Sequence, residues 1–179
     1  MDIAIPKGNE EEMLQMAKKL GITTLRFLYP AVSIAQKEKL NGREVGIISD
    51  NPNEIHRAKQ QGIFAATSSN EMRVLESSPD MLFGVEDIEH KDSLHFRKSG
   101  LNQVLCALMA KNGISYGISF SMVLHSTARG RALLMGRIAQ NVKLARKFKI
   151  PVQLYSFAKD AYDLRSAKDL DAVLRTLSR

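Results

Sequence analysis

The sequence predicts an α/β fold with a mainly parallel sheet, and three observations predict it. Seven short β-rich runs alternate with helix-like runs along almost the whole chain, capping residues and glycines bracket the helix patterns, and no glycine-rich nucleotide loop follows the first strand. Alternation of this kind favours parallel pairing, because each crossover needs a helix to bring the chain back to the same end of the sheet.

The strand runs are Asp2 to Pro6, Thr23 to Tyr29, Glu44 to Ser49, Gly62 to Ser68, Met81 to Glu86, Ser115 to Ser121 and Pro151 to Ala158. Helix patterns lie between them at Asn9 to Leu20, Ser33 to Leu40, Asn53 to Gln61, Asn70 to Ser77, Leu101 to Asn112 and Gly130 to Lys149, with a last one from Ser166 to Leu177. Asn9, Asn53, Asn70 and Ser166 stand where a side chain can accept from an orphan helix N–H, and acidic residues follow the first three of them. Gly21, Gly62 and Gly113 stand at the opposite ends, where a C-cap favours positive φ. An open doubly wound sheet and a (β/α) barrel both satisfy this order. Full barrels use about 250 residues and eight strands, so a barrel here would be small, seven-stranded and imperfectly closed. Pro6, Lys7 and Gly8 enter the first helix without the spaced glycines that admit a pyrophosphate, which disfavours a dinucleotide fold. A single domain over 1–179 is the expectation.

Charge points to a class of partner. Met1 to His90 holds ten Lys/Arg against fourteen Asp/Glu, whereas Lys91 to Arg179 holds sixteen against five. A surplus concentrated in one half favours a polyanion, RNA or DNA first, because cations near phosphates release condensed counterions. Trp is absent and aromatics make up 6% of the chain, which argues against extensive base stacking. Cys106 lies in an apolar run and reads as a buried small hydrophobe. Asp2 follows Met1 at once, so neither a signal peptide nor a membrane span is expected, and a reducing cytoplasmic setting fits.

Ligands in parallel α/β folds bind at the C-terminal strand ends. Those positions are Pro6 and Lys7, Tyr29, Ser49 and Asp50, Thr67 and Ser68, Glu86 and Asp87, Ser119 and Ser121, and Ser156 with Lys159. They are polar but poor in histidine, and the first strand offers only Asp2 where a hydrolytic metal centre wants a histidine pair. A divalent ion among Glu86, Asp87, Glu89 and His90 is the alternative, and it would make the chain a stand-alone metal-dependent phosphoesterase. Ser119, Ser121 and His125 lack a nucleophile elbow.

Cations gather in three places. On the long helix pattern Leu134, Ile138, Val142, Ala145 and Phe148 form an apolar face, while Arg129, Gln140, Lys143, Arg146 and Lys147 form a polar, mostly basic one. Asn141 falls on the apolar face and reads as a structural amide tying the helix to a strand end; Arg137 lies on its flank. Arg97 and Lys98 precede a Ser99-Gly100 turn whose N–H groups could meet a phosphate. Lys159 and Arg165 follow the seventh strand, with Asp163 and Asp169 close enough in sequence to pair with Arg165.

Leu94 to Ser121, Arg129 to Pro151 and Ser156 to Leu170 carry a resemblance to the archaeal and eukaryotic Rpp30 family, the p30 subunit or protein component 3 of ribonuclease P. The first half is matched by strand order and by Gly84 to Ile88, and looks abbreviated. The resemblance implies a small TIM-barrel-like fold, related to metal-dependent phosphoesterase barrels, that has lost its metal site. It implies binding to the catalytic domain of the RNase P RNA, assembly with a Pop5-type protein subunit and other RNase P proteins, and contact with precursor tRNA through the holoenzyme. The RNA would remove the 5′ leader using Mg²⁺, with no cofactor or metal bound by the polypeptide and no catalytic residue in it. Arg97, Lys98, Arg129, Arg131, Arg137, Lys143, Lys159 and Arg165 lie in the shared motifs and are the expected RNA-binding residues.

Overall fold

A computed structural model describes residues 1–31, 44–87, 92 and 97–177. Seven strands form one parallel sheet in sequence order: β1 (Asp2–Ala4), β2 (Leu25–Pro30), β3 (Glu44–Ile48), β4 (Phe64–Thr67), β5 (Met81–Phe83), β6 (Ser115–Ser119) and β7 (Val152–Tyr155). The sheet curls until its edges meet. Ala4 and Ala158 form a parallel bridge in which Ile5 N–H donates to the Ala158 carbonyl at 2.8 Å. Beside it the Asp2 carboxylate accepts from Ser156 N–H, also at 2.8 Å. The result is a nearly closed barrel with one unsealed seam, which decides between the two architectures the sequence allowed.

Alternation within the strands builds the two layers. Ile3, Leu28, Ala66, Met81, Phe83 and Tyr155 come from five strands, Phe157 from just beyond β7, and together they fill the barrel interior. The barrel is narrow, and two glycines make room. A Cβ at Gly117 would stand 2.4 Å from Met81 Sδ, and one at Gly46 2.6 Å from a Leu28 methyl. Outward-facing residues pack under the helices α1 (Glu10–Lys19), α2 (Pro52–Gln60), α3 (Met72–Glu76), α4 (Gln103–Asn112), α6 (Ala128–Lys147) and α7 (Ala167–Leu177). The largest outer cluster joins Leu82, Tyr116 and Ile118 to Leu105, Met109, Leu134, Ile138 and Val142. Each such side chain, fully buried, contributes about 1.5–3 kcal/mol.

One helix departs from expectation. The run Ser115 to Ser121 reads as a single strand, but β6 stops at Ser119, whose hydroxyl accepts from Met122 N–H and opens α5 (Phe120–His125). The caps also differ in part. Asn51 rather than Asn53 caps α2, Asn102 caps α4 and Thr127 caps α6, each by accepting a backbone N–H. Asn9 and Asn70 spend their amides on long-range bonds to the carbonyls of Lys159 and Gly100. Ser166 caps as expected, exchanging bonds with Asp169. Gly21, Gly62 and Gly113 all take positive φ. The helix expected at Ser33 to Leu40 lies outside the described residues. Among the described residues no helix is long and apolar enough to cross a membrane.

Candidate functional site

The strand ends named from sequence converge in part, since Pro6, Tyr29, Ser49, Asp50, Thr67, Glu86 and Ser156 do not line the mouth cavity. Lys7, Ser68, Asp87, Ser119, Ser121 and Lys159 line a cavity of about 900 Å³ at the barrel mouth, over an apolar floor of Ile5, Phe83, Met122 and Phe157. Sequence reasoning gave no place at the mouth to Asn9, Asp160 or Asp163, and it named His125 without its partner Asp163, the Nε2 and Oδ2 of the pair being 2.9 Å apart. A pair 38 residues apart leaves no local spacing signal. Asp50 is turned to structural use, accepting from Thr67 Oγ1 and the N–H groups of Ser68 and Ser69.

The alternative metal site is split by the fold. Asp87 faces the mouth, whereas Glu86 is 1% exposed and turns under α6 to meet the Asn141 amide at 3.4 Å. Glu89 and His90 lie outside the described residues, as does His95. Among the described residues no three His, Cys, Asp or Glu side chains group as metal ligands. Asp2 stands in the seam, buried, rather than at the mouth. Burial pushes its carboxyl up, opposed by hydrogen bonds from Ser156 and Ile3.

Asn141 behaves as expected. Its Nδ2 donates to the Ser99 carbonyl at 2.7 Å and lies 3.3 Å from the Tyr116 hydroxyl on β6, so the amide ties α6 to the sheet. Burial pushes Glu86 beside it up to about 7.

Arg137 requires a correction. Expected on an RNA surface, it is 2% exposed and its guanidinium donates to Asp92 Oδ1 through Nε and Nη2 and to the Glu86 carbonyl through Nη1. Partial desolvation raises the Asp92 carboxyl, but the bonds from Arg137 and from Lys98 N–H outweigh it and hold Asp92 below its usual value. The guanidinium is spent on holding the segment after β5 against α6. The Ser99-Gly100 turn is corrected likewise: Ser99 is buried and its N–H donates to the Arg97 carbonyl, so it is not a phosphate cradle.

The remaining cations fall at different heights. Arg97 is exposed and crosses α6 at Gly136, donating to its carbonyl at 3.0 Å; a Cβ there would come within 2.7 Å of the guanidinium. Lys98 is half-buried. Arg131 donates to the carbonyls of Val123, Leu124 and Ser126, closing the C-terminal end of α5. Arg165 donates to the carbonyls of Tyr162 and Leu164 and lies 5.7 Å over the Phe120 ring, while Asp163 and Asp169 take other partners. Arg129 and Lys143 are both exposed on α6. Fourteen residues apart, they stand about 21 Å from each other along the axis. Arg129, Arg97 where it crosses Gly136, and Lys143 therefore mark out a band of exposed cations along α6.

No family model matches the chain. Ribonuclease P protein component 3 of Methanosarcina mazei is 43% identical over 70 residues, covering 39% of this chain and 29% of that protein. The component 3 protein of Methanosarcina barkeri is 26% identical over 180 aligned positions, covering 91% of this chain and 73% of that protein. That of Methanocaldococcus jannaschii is 31% identical over 91 residues, or 51% of this chain and 39% of the relative. The alignment to the M. mazei protein thus spans less than a third of its length. In structure the chain matches one from the cryo-EM structure of archaeal ribonuclease P with mature tRNA, with a TM-score of 0.71 and 20% identity over 99% of this chain and 83% of that one.

Proposed function

We propose that this chain, a sequence relative of the archaeal ribonuclease P component 3 proteins, is a protein subunit of ribonuclease P that binds and supports the catalytic RNA. The observation that carries the reading is the similarity to those component 3 proteins, which reaches 43% identity over 70 residues. The band of exposed cations on the basic flank supports it, because phosphate contacts position a protein on RNA without needing a catalytic constellation. In this reading the RNA removes the 5′ leader of precursor tRNA with its own Mg²⁺, and a Pop5-type subunit is the protein partner. Arg97, Arg129 and Lys143 meet phosphates. Arg131 and Arg165 add charge while their guanidinium groups also hold backbone carbonyls, and Lys98 and Lys159 complete the set.

The deciding experiment is precursor-tRNA cleavage by RNA alone, protein alone and the reconstituted assembly. Stimulation only in the assembly is the expected result; cleavage by purified RNA-free protein, or no effect on reconstitution, overturns the reading. Alanine at Arg97, Arg129 and Lys143 together should weaken RNA binding and lower the slope of log affinity against log salt by about 2–3. An unchanged slope would remove this surface from the interface.

A further inference from the structure

We propose that the barrel mouth is a binding pocket for a nucleoside phosphate, with Lys7 and Lys159 on the phosphate and the Phe83 ring beneath the base. A free nucleotide and an unpaired nucleotide of an RNA strand present the same chemistry, so the pocket does not depend on the ribonuclease P reading.

The two lysines are placed, not merely nearby. Asn9 accepts from Lys7 N–H at 3.0 Å and donates to the Lys159 carbonyl at 3.2 Å, so one amide fixes the loops after β1 and β7 to each other. Gly8, at φ 89°, supplies the turn between Lys7 and Asn9. Asp87, Asp160 and Asp163 line the same cavity, yet neither lysine ammonium pairs with a carboxylate among the described residues. Asp163 is engaged by His125. Two uncommitted cations carried on loops that are tied to each other suit a phosphate, which each can meet as a point charge.

The interior of the pocket suits a base. Phe83 and Phe157 stack with centroids 4.5 Å apart and an interplanar angle of 13°, and both line the cavity, so a nucleobase entering it meets aromatic carbon. Ser121 is 6% exposed and lines the cavity, and its hydroxyl makes no hydrogen bond among the described residues. A buried hydroxyl facing a cavity is a ready donor or acceptor for a base edge, and Asp87 is an acceptor for ribose hydroxyls. The volume of about 900 Å³ falls in the range of about 300–1,000 Å³ usual for small-molecule sites.

The test follows the methyl resonances of Ile5 and Met122 at the mouth, with Val104, exposed on α4, as a control. The probes are adenosine and uridine 5′-monophosphate, inorganic phosphate, and a mixed-sequence single-stranded RNA of nine nucleotides. A nucleotide should shift Ile5 and Met122 saturably and leave Val104 still. The double variant Lys7→Ala/Lys159→Ala should keep its melting temperature and bind about tenfold or more weakly, the loss of roughly one good charge-assisted contact. Shifts from the RNA alone, abolished in the double variant, identify the source as a strand and leave the pocket standing. No shift with any nucleotide or RNA, equal binding by inorganic phosphate, or undiminished binding by the double variant would overturn the proposal.

Discussion

At the scale of single residues, Glu86 and Arg137 show how polar groups are placed beneath α6. Glu86 titrates near 4.5 in the unfolded chain, and burial lifts it to about 7 in the fold. The folded state therefore binds the extra proton, so the stability Glu86 contributes is present in full below about 4.5 and is lost as pH rises through about 7. Between pH 4.5 and 8 that loss should be on the order of 3 kcal/mol for the wild type and clearly smaller for Glu86→Gln, which cannot ionise. Chemical denaturation at the two pH values checks this, and parallel losses in both proteins would refute it. Arg137→Ala leaves Asp92 with the Lys98 N–H but no cation, takes this donor from the Glu86 carbonyl, and should cost about 3 kcal/mol. Lys at the same position should restore little, because it lacks the fork that engages both. Lys143→Ala, exposed on the same helix, should lie within about 0.5 kcal/mol of wild type. Asn141 was legible from the sequence because an amide on an apolar helix face demands partners. Arg137 was not, since its partner Asp92 is 45 residues away.

At the scale of elements, all seven strands were legible, because strands buried on both faces read as short apolar runs bounded by turns. α5 was hidden for the same reason: Phe120 to His125 continues the apolar run of β6, and only the Ser119 cap marks the change of backbone. Caps that sit one or two residues from the expected asparagine, as Asn51 does, are decided by where the first turn closes. Thr127 and Asn102 hold the starts of α6 and α4 through accepted N–H groups at 3.2 and 2.9 Å. Alanine at either should cost about 1 kcal/mol in denaturant unfolding. In the proposed RNA-binding reading, α6 is also long enough for its two ends to meet different phosphates. Arg129→Ala and Lys143→Ala should therefore lower RNA affinity additively, within about 0.5 kcal/mol in a double-mutant cycle; a larger coupling would place both on one contact.

At the scale of the molecule, sequential strand order turns a polarity of sequence into one of space. Each strand pairs with its neighbour in the chain, so the acidic first half and the basic second half occupy two arcs of the barrel wall. The same order makes Gly46 and Gly117 sensitive, since they face a narrow interior already filled by Leu28 and Met81. Gly117→Ala should cost about 1–3 kcal/mol through overpacking, measurable as a lowered midpoint with an unchanged denaturant slope. Asp2→Ala should speed hydrogen exchange at the Ile5 and Ser156 amides, which lie along the seam, more than at β3 and β4.

The seam also orders events during synthesis. Neighbouring strands can pair as they emerge, but the bond from Ser156 to Asp2 spans 154 residues and waits for nearly the whole chain. Its closure entropy comes due last. Until then a growing wall carries β1 as an open edge with unpaired N–H and C=O groups, an invitation to pair with another chain. A ribosome pausing after β6 would hold the nascent protein in that state, and release of β7 would act as the latch.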